Sequence, residues 1–444
     1  MLERKITRYL RSWYDADNGR ALLLTGARQV GKTTAVREFA RAGDIDLAEV
    51  NFYQNVDAVE LVSQAKTSDD LLMRISVLAG RSIVPESTLL FLDEIQECQD
   101  LLTWVKFLSE NRGLKVVLSG SLLGIDAFVD VRSLPVGYLQ TREMFPLDFE
   151  EFCWAAGLPA ESFVTALDAA LGGEAVPDFL HHRLGDLFRT YLLVGGMPAS
   201  VQEYVDSAQI APARETQRAI FDMYEADVAK YVSDRTEARQ IKMVYEAIPG
   251  QLNAPSKRFK YARLEKNLRF ANLETAFDWL AAAGVAVPVT RVGSVEFPLG
   301  LTEDRTSLKL FMNDVGMLTS RLLGNVEIEV LSQRTNINYG SIFENVVAQE
   351  LLAQGFTSHY YFSKKNGEVD FVVEDTDLGL VLPIEVKSGK DYKRHNALNN
   401  LLADEHSGID RAVVLCDGNV EADGDELYLP VYLAGAIRRL MREA

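Results

Sequence analysis

The sequence predicts an α/β protein, with a mostly parallel sheet in its first third and a second α/β unit from about residue 340. Three observations carry this expectation. Short apolar runs alternate with helical patterns before residue 120. A glycine-rich turn ending in Gly31-Lys32-Thr33 joins the first of those runs to a helical pattern. After residue 340 the alternation of helix and apolar strand resumes.

The elements follow in order. Ile6, Leu10 and Trp13 share one face of an amphipathic N-terminal helix. Strands are expected at Ala21–Thr25, 47–52, 89–93 and Lys115–Ser119, with a helix over 101–111. From about residue 148 to 234 the pattern is mainly helical. It opens on Asp148-Phe-Glu-Glu-Phe, whose carboxylates suit the positive end of a helix dipole. Gly172 to Pro177 reads as a loop within that region. A hairpin is expected near 285–299. Then come a helix over 341–352, strands at His359–Ser363, 368–374 and 381–386, a helix over 396–404 and a strand at 411–416.

A chain of 444 residues suggests about three domains. Apolar residues at 48% and charged residues at 25% mark a globular protein and argue against wholesale disorder. The longest apolar run, 279–289, is interrupted by Gly284 and Pro288 and is too short to span a membrane. The net charge of −18 repels nucleic acid on average, so any such binding requires a local basic surface. Cys98, Cys153 and Cys416 form no CxxC, zinc spacing or disulfide framework, and the N-terminus has no continuous apolar stretch of a secretory signal. A reducing, cytoplasmic setting is expected. The five histidines have no metal-ligand spacing, and the G-x-S-x-G nucleophile elbow is absent from the sequence.

Gly26-Ala27-Arg28-Gln29-Val30-Gly31-Lys32-Thr33 fits G-x-x-x-x-G-K-[ST] at every fixed position, between an apolar strand and a helix that continues through Thr34. The glycines let backbone amides turn toward phosphate oxygens, and the helix N-terminus adds positive potential. Lys32 would then reach the β- and γ-phosphates of ATP, and Thr33 would offer a hydroxyl to Mg²⁺. Leu89-Leu-Phe-Leu-Asp93-Glu94 reads as a buried parallel strand ending in two carboxylates. Asp93 can hold Mg²⁺ through water, and Glu94 can act as general base on the attacking water. The next strand ends in Ser119-Gly-Ser121, where Ser119 can sense the γ-phosphate or simply close a turn.

In the last third, Glu344 lies in a helical pattern, Asp370 interrupts an apolar strand at Gly367-Glu-Val-Asp370, and Glu385-Val-Lys387 ends the next strand. Strand periodicity puts Glu385 and Lys387 on one face. This order is similar to the PD-(D/E)xK nuclease pattern. In that reading Asp370, Glu385 and Glu344 ligate one or two Mg²⁺ ions and Lys387 orients water or balances phosphate charge. The alternative is a catalytically silent fold in which Lys387 pairs with a carboxylate.

Gly26–Thr33, Leu89–Gln96, Leu118–Ser121, Pro135-Val-Gly137 with 145–152, and Tyr191-Leu-Leu-Val-Gly-Gly-Met-Pro198 together resemble a prokaryotic AAA-type ATPase family with a C-terminal domain of unknown function. The resemblance covers nearly the whole chain. It implies a P-loop AAA-like core (1–147), a helical lid (148–235), a winged-helix-like segment (236–325) and a restriction-endonuclease-like α/β domain (326–444). Where many members carry an arginine after the glycine at 137, this chain has Tyr138. A finger role would then fall to Arg132 or Arg142 or be absent, with both arginines otherwise read as solvated surface charge, and a finger supplied in trans would need a homo-oligomer.

Lys257-Arg258-Phe-Lys260-Tyr-Ala-Arg263, continuing to Lys266 and Arg269, is the densest basic stretch. It reads as a DNA or RNA backbone contact with Phe259 or Tyr261 stacking, or as a solvated face over two buried aromatics. Lys387, Lys390, Lys393 and Arg394 form a smaller cluster. The expected function is a Mg²⁺-dependent ATPase that couples nucleotide state to a nuclease-like module acting on or binding nucleic acid. The alternative is an ATP-dependent switch whose C-terminal domain is inactive and binds nucleic acid or a protein partner.

Overall fold

The computed structural model describes residues 2–16, 18–98, 100–121, 137–323, 339–389, 391–404 and 407–443. The chain forms two compact units. One comprises residues 3–145 with 282–284, and the other comprises 146–281 and 285–444 with the first two residues.

The first unit is built on five parallel strands: β1 (Ala21–Thr25), β2 (Asp46–Asn51), β3 (Thr88–Asp93), β4 (Lys115–Ser119) and β5 (Leu139–Glu143). Their order is β2-β3-β4-β1-β5, and every pairing is parallel. All residues of β1 and β3 are buried, as expected for strands covered by helices on both faces. Leu90 and Leu92 of β3 pack with Leu101, Val105 and Leu108 of helix Leu101–Arg112. The N-terminal helix Lys5–Asp15 buries Ile6, Leu10 and Trp13. Strand β5 was not expected from the sequence. Leu-Gln-Thr-Arg-Glu carries one apolar side chain, and its place comes from backbone pairing with β1 at the sheet edge.

The second unit opens with helices Phe149–Ala155, Ala160–Leu171, Asp178–Val194, Pro198–Ser207, Ile210–Tyr231 and Arg235–Leu252. The Asp148 carboxylate accepts from Glu151 N at 2.9 Å, so the acidic start caps the first of them. An eight-stranded mixed sheet follows, in the order β12-β13-β11-β10-β9-β8-β6-β7. Its strands are β6 (Ala286–Val292), β7 (Glu303–Met312), β8 (His359–Ser363), β9 (Gly367–Asp375), β10 (Leu380–Val386), β11 (Ala412–Cys416), β12 (Glu421–Asp423) and β13 (Glu426–Pro430).

Two expectations change here. The hairpin expected near 285–299 has its return strand at Glu303–Met312. Val295 and Leu299 are buried as turn residues against the core, so they are not available to a ladder. The sheet also extends across the boundary expected at 326. β6 pairs with β7 on one side and, in parallel, with β8 on the other, a long-range pairing with no local sequence signal.

Helix Tyr339–Ala353 is buried from Ser341 to Leu351 on every face, polar residues included. Those polar groups have partners. Asn345 Oδ1 accepts from Met312 N at 2.8 Å, and Gln349 Nε2 donates to Tyr191 OH at 2.6 Å. Glu350 Oε1 accepts from Phe149 N at 2.9 Å. The Gly195-Gly196 step is set by the same packing. Asp314 Oδ2 accepts from Gly196 N at 2.6 Å, and a Cβ on Gly196 would stand 2.0 Å from Leu147 O.

Candidate functional site

In the first unit, β1 delivers the chain into the glycine-rich turn and helix Lys32–Ala42 leaves it. Gly26 has φ +134° and comes so close to the backbone after β5 that a Cβ would lie 2.2 Å from Met144 O. Gly31 has φ +96°, which favours glycine. Ala27 and Val30 are buried and anchor the turn, whereas Gln29 and Thr34 are exposed and Arg28 is half-buried. Lys32 is buried and curls back into the turn. Its Nζ donates to Gly26 O at 2.9 Å and to Ala27 O at 2.8 Å. Burial pulls its ammonium down to about 8, against the opposing pull of Glu94 and Asp93.

β4 lies between β1 and β3, and the ends of all three carry the polar groups. Thr33 Oγ1 donates to Asp93 Oδ2 at 3.0 Å. Ser119 Oγ donates to Asp93 Oδ1. Asn51, at the end of β2, donates from Nδ2 to Asp93 Oδ2 at 2.8 Å. Its own Oδ1 accepts from Tyr53 N and Gln54 N at 3.1 and 2.9 Å. Sequence reasoning missed Asn51, because an asparagine ending a strand looks like any turn residue. Glu94 follows with φ +58° and accepts from Gln96 Nε2. A non-glycine residue in that conformation is uncommon and here turns the backbone directly after Asp93. Glu143, half-buried at the end of β5, has its carboxyl pushed up by burial against the pull of Lys32. Ser121 Oγ is buried without a partner among the described residues. The Thr33 hydroxyl and the buried Asp93 carboxylate are hard oxygen donors side by side, a donor set that fits Mg²⁺.

Arg142, named as a finger candidate, stacks over Tyr9 at 5.1 Å, and Tyr138 lies under Lys106 Nζ at 4.6 Å. Arg132 lies outside the described residues.

In the second unit, the four carboxyl-terminal residues singled out from sequence come together, with partners that the sequence did not reveal. Asp370 on β9 and Glu385 on β10 occupy neighbouring antiparallel strands. Asp370 Oδ2 accepts from Val386 N at 3.0 Å, and Lys387 Nζ donates to Glu385 Oε1 at 2.7 Å. Glu344 is fully buried in helix Tyr339–Ala353. Lys309 of β7 reaches into their midst. Its Nζ, wholly buried, lies 3.3 Å from Glu344 Oε2, 3.0 Å from Glu368 Oε1 and 3.4 Å from Asp370 Oδ1. Lys257 pairs with Glu344, and Arg258 pairs with Glu368 at 2.6 Å.

Burial favours the neutral forms throughout, but charge partners decide several outcomes. Burial opposes the Lys309 charge, yet Glu344, Asp370 and Glu368 hold its pKa above the usual range. Burial and Asp370 push Glu385 up to about 8. Burial also raises Glu344. It pushes Asp370 and Glu368 the same way, but their cationic neighbours and hydrogen bonds, Lys309 foremost, together lower both.

Glu344, Asp370 and Glu385, read from the sequence as metal ligands, are each in contact with a lysine. Among the described residues no group of three or more His, Cys, Asp or Glu side chains is placed to hold a metal ion. The physical reason is that lysines stand among the oxygens that would ligate it. The basic stretch is likewise divided. Lys257 and Arg258 are drawn into this cluster, and Phe259 is buried edge-on to Phe277. Tyr261 donates its hydroxyl to Thr306 O at 2.6 Å, and its ring packs T-shaped with Phe270 and Phe277. Lys260, Arg263, Lys266 and Arg269 remain exposed. Lys393 pairs with Glu421 at 2.7 Å, and Lys390 lies outside the described residues. No described helix is long and apolar enough to cross a membrane.

Residues 18–153 match the AAA domain family, so the first unit carries an AAA-type P-loop ATPase domain. Residues 185–327 and 339–433 match two domains of unknown function, DUF8612 and DUF4143. No curated protein matches the chain. Among solved structures, the chain is similar to the Hsp104–ADP complex of S. cerevisiae, at 18% identity and TM-score 0.30 over 64% of this chain and 38% of that one. It is similar to the Pif1 helicase from Candida albicans, at 16% identity and TM-score 0.25 over 41% and 47% of the two chains. The Aeropyrum pernix Orc1 protein in complex with DNA gives 13% identity and TM-score 0.29 over 74% and 91%. The chain thus spans less than half the length of the Hsp104 and Pif1 chains.

Proposed function

We propose that this protein hydrolyses ATP with Mg²⁺ at the turn 26–33 and uses nucleotide state to control a C-terminal α/β unit that engages nucleic acid. One observation carries the first part. Thr33, Asn51 and Ser119 converge on the buried Asp93 carboxylate while Lys32 fills the turn. In this reading the backbone of Gly26, Ala27, Arg28, Gln29, Val30 and Gly31 surrounds the phosphates, and Lys32 exchanges its two loop carbonyls for phosphate oxygens. Thr33 and Asp93 would hold Mg²⁺, which would supply neutralisation of the phosphate charge. Glu94 takes the proton of the attacking water, and Ser119 orients Asp93. A finger arginine supplied in trans would require a homo-oligomer.

The second part rests on charge. The exposed Lys260, Arg263, Lys266 and Arg269 make a local positive stretch in a chain whose net charge is −18. With Phe259 buried and the Tyr261 hydroxyl bonded internally, this surface suits phosphate contact without base stacking.

The test is ATP turnover in the full chain. Lys32→Ala is expected to lose nucleotide binding. Glu94→Gln is expected to keep binding and lose about 10²–10⁴-fold in turnover. Equal turnover in wild type and Glu94→Gln contradicts the assigned base. Fluorescence anisotropy with labelled duplex DNA, at rising salt, scores the nucleic-acid part separately.

A further inference from the structure

The carboxylate cluster of the second unit is charge-balanced by the chain itself. Its anionic side chains, Glu344, Glu368, Asp370 and Glu385, all follow residue 339. Three of its cations, Lys257, Arg258 and Lys309, come from the segment before residue 324, and Lys387 is the fourth. Each carboxylate has a cationic contact, and Lys309 is shared by three of them. Glu344 has Lys257 and Lys309, Glu368 has Arg258 and Lys309, Asp370 has Lys309, and Glu385 has Lys387.

Fully ionised, four positive groups meet four negative ones. Adding a divalent cation would leave two uncompensated positive charges in a buried site, which is strongly unfavourable. Protonation of Glu385 would only increase the positive excess. Lys309 cannot simply step aside, because its backbone sits in the β6–β7 ladder opposite Val289 and its side chain is wholly buried. Glu385 Oε2 is buried without a partner among the described residues, but it is one oxygen where Mg²⁺ needs a near-octahedral set.

We infer that the Lys309 ammonium stands where a divalent cation stands in the nuclease-like pattern, and that the C-terminal unit holds nucleic acid without cutting it. The metal part is independent of the nucleic-acid reading. The second clause rests on that reading, and the two are scored apart. The cluster then serves as a rigid ionic core that fixes β7, β9, β10 and helix Tyr339–Ala353, and the recognition surface lies outside it.

The experiment uses the full chain with Asp93→Asn, which silences the nucleotide-site metal. Calorimetric titration with MnCl₂ is expected to show no saturable heat, and duplex or single-stranded DNA incubated with Mn²⁺ is expected to stay intact. A saturable Mn²⁺ site, or DNA cleavage, that disappears on Asp370→Asn overturns the inference. Two further variants in the same background test the role of charge. Lys309→Met leaves the cluster one positive charge poorer than wild type, and Lys309→Met with Glu368→Gln returns it to the wild-type charge. Mn²⁺ is expected to raise the melting temperature of the first and not the second, and an equal response in two folded variants overturns the inference. If Lys309→Met does not fold, the Asp93→Asn titration alone decides. Failure of DNA binding in anisotropy sinks the nucleic-acid reading and leaves the metal result standing.

Discussion

Thr33 Oγ1 donates to Asp93 Oδ2 at 3.0 Å across 60 residues of sequence. The contact joins the first turn of the helix after the glycine-rich loop to the end of β3, with β4 between the two strands. Asn51 and Ser119 bind the same carboxylate from β2 and β4. Three elements therefore hold one acidic side chain carried by a fourth, an arrangement that orients it before any ligand arrives.

The depressed Lys32 pKa makes nucleotide affinity pH-dependent. The ammonium is charged below about pH 8 and loses its proton above it, while phosphate favours the charged form. Affinity for ATP is expected to weaken by up to about tenfold between pH 8 and pH 9. Calorimetry across pH 7–9, with proton uptake read from buffers of different ionisation heat, measures it. A flat profile contradicts the assignment.

Asn51→Ala removes one donor to Asp93 and two acceptor contacts to the following turn. It is expected to cost about 1–3 kcal/mol of stability. As a positioning residue, Asn51 is also expected to matter for metal use. The Mg²⁺ concentration for half-maximal ATP hydrolysis should rise in the variant, whereas a purely structural role would leave it unchanged.

Gly196→Ala would drive a methyl group to 2.0 Å from Leu147 O, in a segment also pinned by Asp314. A loss of about 2–4 kcal/mol is expected from forced backbone movement. Gly172→Ala is the control. Its Cβ would meet nothing closer than 3.5 Å at φ −78°, so its stability should change by no more than about 0.5 kcal/mol. Urea unfolding of the two variants compares them.

Glu385 carries a pH signature. Its folded pKa of about 8 lies above its ordinary value of 4.5, so the folded state binds the extra proton between those limits. Stability from this group is fully present below about pH 4.5 and is lost as pH rises to 8. Glu385→Gln removes that loss. Its melting temperature relative to wild type should therefore be higher at pH 8.5 than at pH 5.5. The opposite slope would show that Lys387 holds Glu385 ionised.

Much of this protein was written locally. The turn 26–33 announces itself because a backbone that wraps an anion needs glycine where φ is positive, as at Gly31, and a cation at the helix start. β1 and β3 were legible as unbroken apolar runs because both their faces are covered. Asp370 and Glu385 were placed on neighbouring strands by their two apolar runs, and strand periodicity set Glu385 and Lys387 on one face. Tertiary structure decided what no window of sequence contains. β5 has almost no apolar signal, and only its pairing with β1 makes it a strand. Asn51 gains its role only where β2 ends beside β3. Lys309 looked like one more charge in a strand, and folding buried it among carboxylates that lie 35 and 61 residues further on. Propensity and periodicity act over a few residues, whereas the sign of a buried charge cluster is set by all the chains of contact that meet there, and only the folded protein brings those together.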